Sequence, residues 1–203
     1  MTVKIAVLVS GRGSNLQAIV DSIEKGYIKN AAINVVISNK ANAYALERAR
    51  KHGISTVFLD PGEYDRAEYD TKILNVLNQY DTDLLLLAGY FRLLGNEIIE
   101  VYRNRIMNIH PSLLPAFKGL HAQKQAFEYG VKVAGCTVHF VDEGLDSGPI
   151  ILQSCVPVLP GDTEETLTAR ILEQEHIIYP DAVRLFTEGK LKIEGRNVVT
   201  RII

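Results

Sequence analysis

Short apolar runs alternate with helical patterns over the first 110 residues, and this alternation constrains the fold more than any other feature of the sequence. Five runs have the length and composition of buried strands, namely Lys4–Ser10, Ile33–Ser38, Thr56–Leu59, Leu84–Ala88 and Ile106–Ile109. Each of the four gaps holds a pattern of apolar residues at helical spacing, as in residues 43–52 before Gly53. The order β-α-β-α-β-α-β-α-β predicts a parallel sheet with right-handed crossovers.

The pattern changes after residue 110. We predict a loop over His110–Gly119, a helix over Ala122–Glu128, strands over Cys136–Val141 and Ile150–Val158, a long last helix, and a short strand-like tail over Val198–Ile203. Asp162 and Glu165 have the spacing of a capping box at the start of the last helix. Pro180 falls inside the same helical pattern and is expected to kink or break it.

These patterns predict an α/β fold: a Rossmann-like, open, mostly parallel twisted sheet with helices on both faces. The sequence contains no internal repeat or linker. We therefore expect one domain over residues 1–203, with an N-terminal half of about 1–110 and a C-terminal half of about 111–203.

Charge and composition exclude several classes of protein. The formal net charge is −2, from 22 basic and 24 acidic residues, which argues against a large basic surface for nucleic acid or membranes. Two cysteines are too few for a disulfide framework. No segment approaches the ~18 apolar residues of a membrane span, and the N-terminus lacks a signal-peptide pattern. We expect a cytoplasmic protein without nucleic-acid or membrane partners.

A glycine-rich segment, Ser10–Asn15, follows the first strand and precedes a helix; we name it the glycine loop. Ligands of open parallel sheets bind beyond the carboxyl ends of the strands, and a helix start suits an anion. The ending of a P-loop is missing, and Leu16 stands where a dinucleotide fingerprint has its third glycine. The loop therefore predicts a site for a single phosphate. The alternative is a plain strand-to-helix turn with Ser14 as the N-cap.

Asn108 and His110 lie at the end of the fifth predicted strand. Because side chains two residues apart in an extended chain point the same way, we expect them to project together. An amide N–H and an imidazole at one spot could stabilise an oxyanion and transfer a proton. His139, by contrast, lies inside an apolar strand and is more typical of a hydrogen-bonded core residue.

A charged His110 needs a carboxylate nearby, and the turn over residues 142–149 offers three: Asp142, Glu143 and Asp146. Sequence spacing does not choose among them. The five histidines are scattered and no Cys-x-x-Cys is present, so we expect no metal site. No Gly-x-Ser-x-Gly motif supports a serine nucleophile.

Several of these motifs occur together in one known family. They are Ser10–Gln17 (SGRGSNLQ), Ala88–Arg92 (AGYFR), Asn108–Pro115 (NIHPSLLP), Val138–Val141 (VHFV), Leu145–Ile150 (LDSGPI) and Gln174–His176 (QEH). Over nearly its whole length the chain resembles the phosphoribosylglycinamide formyltransferases (glycinamide ribonucleotide transformylases) of purine biosynthesis. These enzymes transfer the formyl group of 10-formyltetrahydrofolate to the amine of glycinamide ribonucleotide.

The resemblance implies specific roles for residues of this chain, with the folate lying across the sheet and no metal. The implied catalytic residues are Asn108, His110 and Asp146, which selects one acid of the turn. The implied contacts with the phosphate and ribose of the ribonucleotide are Arg12, Gly13, Ser14, Asn15 and Glu175. The implied folate contacts are Arg66, Phe91, Arg92, Leu93, Leu94, Asn108 and Val141.

Three other functions fit parts of the pattern. Methionyl-tRNA formyltransferase shares the formyl-transfer motif, but it carries a further tRNA-binding domain, and this chain has no basic excess to offset phosphates. A formyltetrahydrofolate hydrolase core, or a phosphate- or folate-binding module without catalysis, are the remaining alternatives. We expect small-molecule substrates only, and a monomer or homodimer.

Overall fold

The structure is a computed structural model that describes residues 1–200. Contacts between residues divide the chain into two compact units. The first runs from Met1 to Met107, and the second begins at Asn108.

The first unit alternates strands and helices in the predicted order. Its elements are β1 (Val3–Val9), α1 (Ser14–Glu24), β2 (Ala31–Ser38), α2 (Tyr44–Lys51), β3 (Ser55–Phe58), α3 (Arg66–Gln79), β4 (Leu84–Leu87) and α4 (Asn96–Val101). The strands lie in the order β3-β2-β1-β4, and each pair of neighbours is parallel.

Burial explains why these apolar runs form strands. Residues 5–9 of β1 are fully buried, and all four leucines of β4 are buried. Strands covered on both faces are apolar throughout, whereas β3 at the edge of the sheet is partly exposed. Since β1 and β4 are neighbours, the loops that follow them begin side by side at the carboxyl edge of the sheet.

The second unit mixes strand directions. Its elements are β5 (Ile106–His110, which begins two residues before the unit), α5 (Ala122–Tyr129), β6 (Val133–Phe140), β7 (Ile150–Pro157), α6 (Glu164–Thr187), β8 (Leu191–Glu194) and β9 (Asn197–Thr200). The strands lie in the order β5-β6-β7-β9-β8. β6 and β7 are antiparallel, β7 and β9 are parallel, and β8 and β9 form an antiparallel hairpin. Helix α6 packs against β6 and β7.

The predicted fold class is confirmed: the protein is α/β, with an open, mostly parallel sheet and helices on both faces. Within residues 1–200, none of the helices has the length and apolar character needed to cross a membrane.

The prediction that Pro180 breaks the last helix is wrong, because α6 runs without interruption over Glu164–Thr187. Proline costs about 3 kcal/mol inside a helix. Leu167, Ile171 and Tyr179 on the same helix are fully buried. Burial of this face outweighs the cost of the proline, which a sequence pattern alone does not reveal.

The predicted capping box of Asp162 and Glu165 is wrong by one residue. Thr163 is the N-cap, and it exchanges hydrogen bonds with Thr166. Arg170 instead engages both carboxylate oxygens of Asp162, at 2.8 Å each. This bidentate ion pair holds Asp162 outside the helix.

The strand-like tail predicted over Val198–Ile203 corresponds in part to β9, which covers Asn197–Thr200. Residues 201–203 lie outside the described residues. Strand β8 was missed by the sequence analysis. It pairs with β9 across a turn in which Gly195 has a φ of 63°.

Candidate active site

The end of β5 carries Asn108 and His110, and the structure brings both side chains into one group with His139 and Asp146. We name these four residues the polar cluster. Asn108 Nδ2 lies 3.2 Å from His139 Nε2, and His110 Nδ1 lies 3.4 Å from Asp146 Oδ2. His110 is 4% exposed and His139 is 2% exposed, so both rings are shielded from water.

Both ring nitrogens of His110 face acceptors. Nδ1 faces the Asp146 carboxylate, and Nε2 lies 2.9 Å from the carbonyl oxygen of Phe117. Neither partner can donate a proton to the ring, so only the doubly protonated imidazolium satisfies both contacts. The geometry therefore favours a positive charge on His110.

Asp146 is held in place from two sides. Its Oδ2 accepts a hydrogen bond from the backbone N–H of Gly119 at 2.8 Å, in addition to facing His110. Asp146 has a φ of 45°, a left-handed conformation that aspartate tolerates better than most residues. Asp142, another acid of the turn, instead accepts hydrogen bonds from the Ser147 hydroxyl and the Gly144 N–H. It closes the turn and leaves Asp146 to face the histidine.

His139 has different hydrogen-bond partners from His110. Its Nδ1 donates to the carbonyl of Phe140 at 2.8 Å, which leaves Nε2 as an acceptor for the Asn108 amide. Burial lowers the pKa of the His139 imidazole, and the nearby Asp146 carboxylate offsets this only in part. The His139 ring is therefore neutral near pH 7. Its Nε2 accepts from one of the two N–H groups of the Asn108 amide, and the other N–H is available to a ligand.

The sequence predicts His139 as a core residue and does not reveal this contact. The ring is buried as expected, but its free nitrogen points at Asn108. The available signal was its position: His139 is next to the last residue of β6, the strand beside β5.

Thr137 holds the loop that follows His110. Its buried hydroxyl accepts from the N–H of Leu114 at 3.0 Å and donates to the carbonyl of Ser112 at 2.7 Å. Ser112 in turn donates to the carbonyl of Ala116 at 2.6 Å. These bonds fix the chain that leads to the Phe117 carbonyl.

Two other predicted residues lie in the second unit. Val141 directly follows the end of β6, two residues after His139. Glu175 lies on α6 and is only 6% exposed, which is rare for a glutamate unless it is paired.

In the first unit, the glycine loop leads into α1 with Gly13 as the N-cap, and no side chain caps the helix. Arg12 is exposed, Ser14 is half-buried and Asn15 is buried. Gly13 has a φ of 72°, and an added Cβ would lie 2.6 Å from the Cβ of Ala45. Packing against α2 therefore requires glycine at this position.

The second loop, Gly89–Leu94, contains most of the predicted folate contacts. Phe91 and Leu93 are 63% and 64% exposed, and Leu94 is 7% exposed. The guanidinium of Arg92 lies 4.8 Å from the centre of the Tyr69 ring. The loop thus presents two apolar side chains to solvent beside a fixed cation.

Ser10, the first residue of the glycine loop, forms hydrogen bonds with the second loop. Its hydroxyl accepts from the N–H of Phe91 at 3.0 Å and donates to the Asn39 side chain at 2.7 Å. Its own N–H donates to the carbonyl of Gly89. The sequence does not reveal these hydrogen bonds, although Ser10 and Asn39 both directly follow parallel strands.

Arg66 lies at a pocket of about 470 Å³ between the starts of α3 and α4, which Asp70 and Gly95 also line. The Gly95 N–H donates to the Asp70 carboxylate, and burial raises the pKa of that carboxyl. A Cβ on Gly95 would overlap the Asp70 carboxylate, so any other residue here would displace that side chain. The pocket places the Arg66 cation beside the end of the second loop.

Comparisons with known proteins identify the family of the chain. Residues 3–183 match the family described as "Formyl transferase". The chain is 47% identical to the phosphoribosylglycinamide formyltransferase of Escherichia coli (strain K12) over 190 residues, which cover 93% of this chain and 89% of that protein.

A longer protein and a solved structure show the same likeness. The chain is 47% identical to a segment of the trifunctional purine biosynthetic protein adenosine-3 of Bos taurus, covering 96% of this chain but 19% of that protein. The crystal structure of glycinamide ribonucleotide transformylase 1 from Symbiobacterium toebii matches with a TM-score of 0.96 and 56% identity, covering 98% of this chain and 94% of the other. A family match over residues 3–183, a shared fold and near-full-length identity all lead to one assignment: the chain belongs to the formyl transferase family.

Proposed function

We propose that this protein transfers the formyl group of 10-formyltetrahydrofolate to the amine of glycinamide ribonucleotide, giving formylglycinamide ribonucleotide and tetrahydrofolate. The observation that carries the proposal is the polar cluster, in which an amide donor and an imidazole paired with a carboxylate lie at one strand end. The likeness to the E. coli phosphoribosylglycinamide formyltransferase supports this choice of acceptor.

The cluster supplies what formyl transfer needs. The amine nitrogen forms a bond to the formyl carbon, and the bond from that carbon to the folate nitrogen then breaks. The free N–H of Asn108 donates to the oxyanion that forms between these steps, and the His110 imidazolium stabilises its charge. In the structure the Phe117 carbonyl accepts a hydrogen bond from His110 Nε2. The oxyanion therefore has to replace that carbonyl as the acceptor. The proton lost by the amine balances the proton gained by the leaving nitrogen.

Asp146 favours the protonated form of His110, from which the imidazole can stabilise the oxyanion and give a proton to the leaving nitrogen. A carboxylate within 3.4 Å of Nδ1 favours the protonated ring. Because the Gly119 N–H holds the same carboxylate oxygen, the pair keeps its geometry as a proton moves.

The folate fits the second loop and the Arg66 pocket. Phe91 and Leu93 offer apolar surface to its rings, and Leu94 forms the buried end of the loop. Arg66 and Arg92 offer positive charge to its carboxylates. In the second unit, Val141 and Asn108 are the proposed folate contacts.

The ribonucleotide phosphate fits the glycine loop, where the uncapped start of α1 offers backbone N–H groups from Gly13 to Asn15 and Arg12 adds charge. Glu175 is proposed to accept hydrogen bonds from the ribose hydroxyls. The protein is proposed to act on small molecules in the cytoplasm, as a monomer or homodimer. Its net charge of −2 argues against a nucleic-acid partner.

The choice of acceptor is tested by one assay in three parallel reactions. The protein and 10-formyltetrahydrofolate are incubated with glycinamide ribonucleotide, with methionyl-tRNA or with buffer alone, and products are identified by mass spectrometry. We expect formylated ribonucleotide and neither formylmethionyl-tRNA nor a comparable release of formate. Formylation of the tRNA at a similar rate, or rapid formate release without an acceptor, would overturn the proposal.

A second expected result concerns His139. His139→Leu should lower kcat about fivefold, because Asn108 loses the acceptor that orients its amide and a net hydrogen bond is worth about 1 kcal/mol. Since the folded state depresses the pKa of His139, the unfolded state binds the extra proton as the pH falls below about 6.5. The free energy of unfolding should therefore fall with acidification less steeply in His139→Leu than in the wild type.

Urea unfolding at pH 7.5 and pH 5, followed by circular dichroism, measures this difference. His121→Asn, which removes an exposed histidine, is the control and should keep the wild-type slope. Equal pH dependence in His139→Leu and the wild type would show that His139 is not held neutral by the fold.

A further inference from the structure

Three consecutive carbonyls of the glycine loop, those of Gly11, Arg12 and Gly13, accept hydrogen bonds, the first two from α2 and the third from α1. The donors are, in order, the N–H of Ala45 at 3.1 Å, the Nε–H of Arg48 at 2.9 Å and the N–H of Gln17 at 3.0 Å. Two of the three donors are backbone groups. The middle donor is a side chain, so the orientation of the Arg12 carbonyl depends on the identity of residue 48.

The direction of these carbonyls determines the direction of the next three N–H groups. In a planar trans peptide the C=O and the following N–H point opposite ways. The donors of α2 hold the carbonyls of Gly11 and Arg12 toward that helix, so the N–H groups of Arg12 and Gly13 point away from it. Successive N–H groups that face one side form an anion-binding concavity.

The Arg48 side chain is itself fixed. Its Nη1 donates to the Gln17 side-chain oxygen at 3.1 Å, and its guanidinium lies 4.9 Å from the centre of the Tyr44 ring. Gln17 in turn donates to Asp21 at 2.8 Å. An arginine held by its planar fork loses little further freedom when a ligand binds.

We propose that Arg48 is a positioning residue for phosphate recognition: it orients the peptide that follows Arg12 so that the N–H groups of the glycine loop converge on the phosphate of the ribonucleotide. This inference rests on the proposed function, since it assumes that the phosphate binds at this loop. Lysine cannot replace Arg48, because one ammonium on a flexible stem lacks the forked pair of donors that joins the Arg12 carbonyl to Gln17.

Three variants of the full-length protein test the proposal. Arg48→Met removes the donors and keeps a helix-forming stem, Arg48→Lys keeps the charge, and Arg50→Met removes a charge from the exposed side of the same helix. Calorimetry with the ribonucleotide alone should show a Kd raised about tenfold in both Arg48 variants, as for the loss of a charged hydrogen bond. In the Arg48 variants, the Kd of the folate and kcat should stay within about twofold of the wild type. In Arg50→Met, the Kd values of both ligands should also stay within about twofold of the wild type.

Amide NMR spectra provide a second readout. The Gly13 and Ser14 signals should shift in both Arg48 variants and stay in place in Arg50→Met. Wild-type ribonucleotide affinity in either Arg48 variant, or equal losses of ribonucleotide and folate binding, would overturn the proposal. A wild-type protein that binds no ribonucleotide would instead overturn the proposed function itself, so the two failures are distinguishable.

Discussion

Replacing His110 with alanine is expected to lower kcat by about a hundredfold or more, because one side chain supplies both a charge opposite the oxyanion and a proton. The KM values for both substrates should change far less, since the phosphate and the folate are proposed to bind through other residues. Steady-state rates at saturating folate and ribonucleotide measure the change.

The control for this variant is His121→Asn, in the same stretch of chain. His121 is exposed and has a φ of 59°, which asparagine tolerates. Its kcat should remain within about twofold of the wild type. If His110→Ala keeps more than a tenth of wild-type kcat, His110 is not the group that stabilises the oxyanion.

Asp146→Asn is expected to lower kcat by about a hundredfold while leaving the fold intact. Asparagine also tolerates the positive φ of this position, and its side-chain carbonyl can still accept from the Gly119 N–H. What is lost is the negative charge 3.4 Å from His110 Nδ1. The neutral ring should then gain population at the expense of the imidazolium.

Nitrogen NMR of the His110 ring at a fixed pH near 6 reports this population directly. We expect the doubly protonated form to be less populated in Asp146→Asn than in the wild type. Asp142→Asn and Glu143→Gln are matched controls from the same turn and should leave the ring signals unchanged. An unchanged ring spectrum in Asp146→Asn would show that another group keeps His110 charged.

The fold was predictable because its signals are local. Each buried strand of the first unit is an apolar run, and each helix has its own periodicity, so the order of elements follows from the sequence. The errors occur where a distant contact changes the local outcome. Arg170 draws Asp162 away from the helix cap, and the buried face of α6 outweighs the cost of Pro180.

The site was predictable only in part, for the same reason. The position of Asn108 and His110 at a strand end follows from the strand pattern, but the resemblance to a known family was needed to select Asp146 over Asp142. No spacing rule shows that the Phe117 carbonyl reaches His110, or that His139 accepts from Asn108. These contacts depend on a loop conformation and on strand pairing, which are tertiary features.

His110 and Asp146 are proposed to act as one unit in formyl transfer, and a double-mutant cycle tests this most directly. The measurement is kcat for His110→Ala, Asp146→Asn and the double variant, with glycinamide ribonucleotide and 10-formyltetrahydrofolate at saturation. If the carboxylate acts through the imidazole, removing both should be no worse than removing the more damaging one, because residues that act together are non-additive. A loss in the double variant equal to the product of the two single losses would show independent roles and contradict the account.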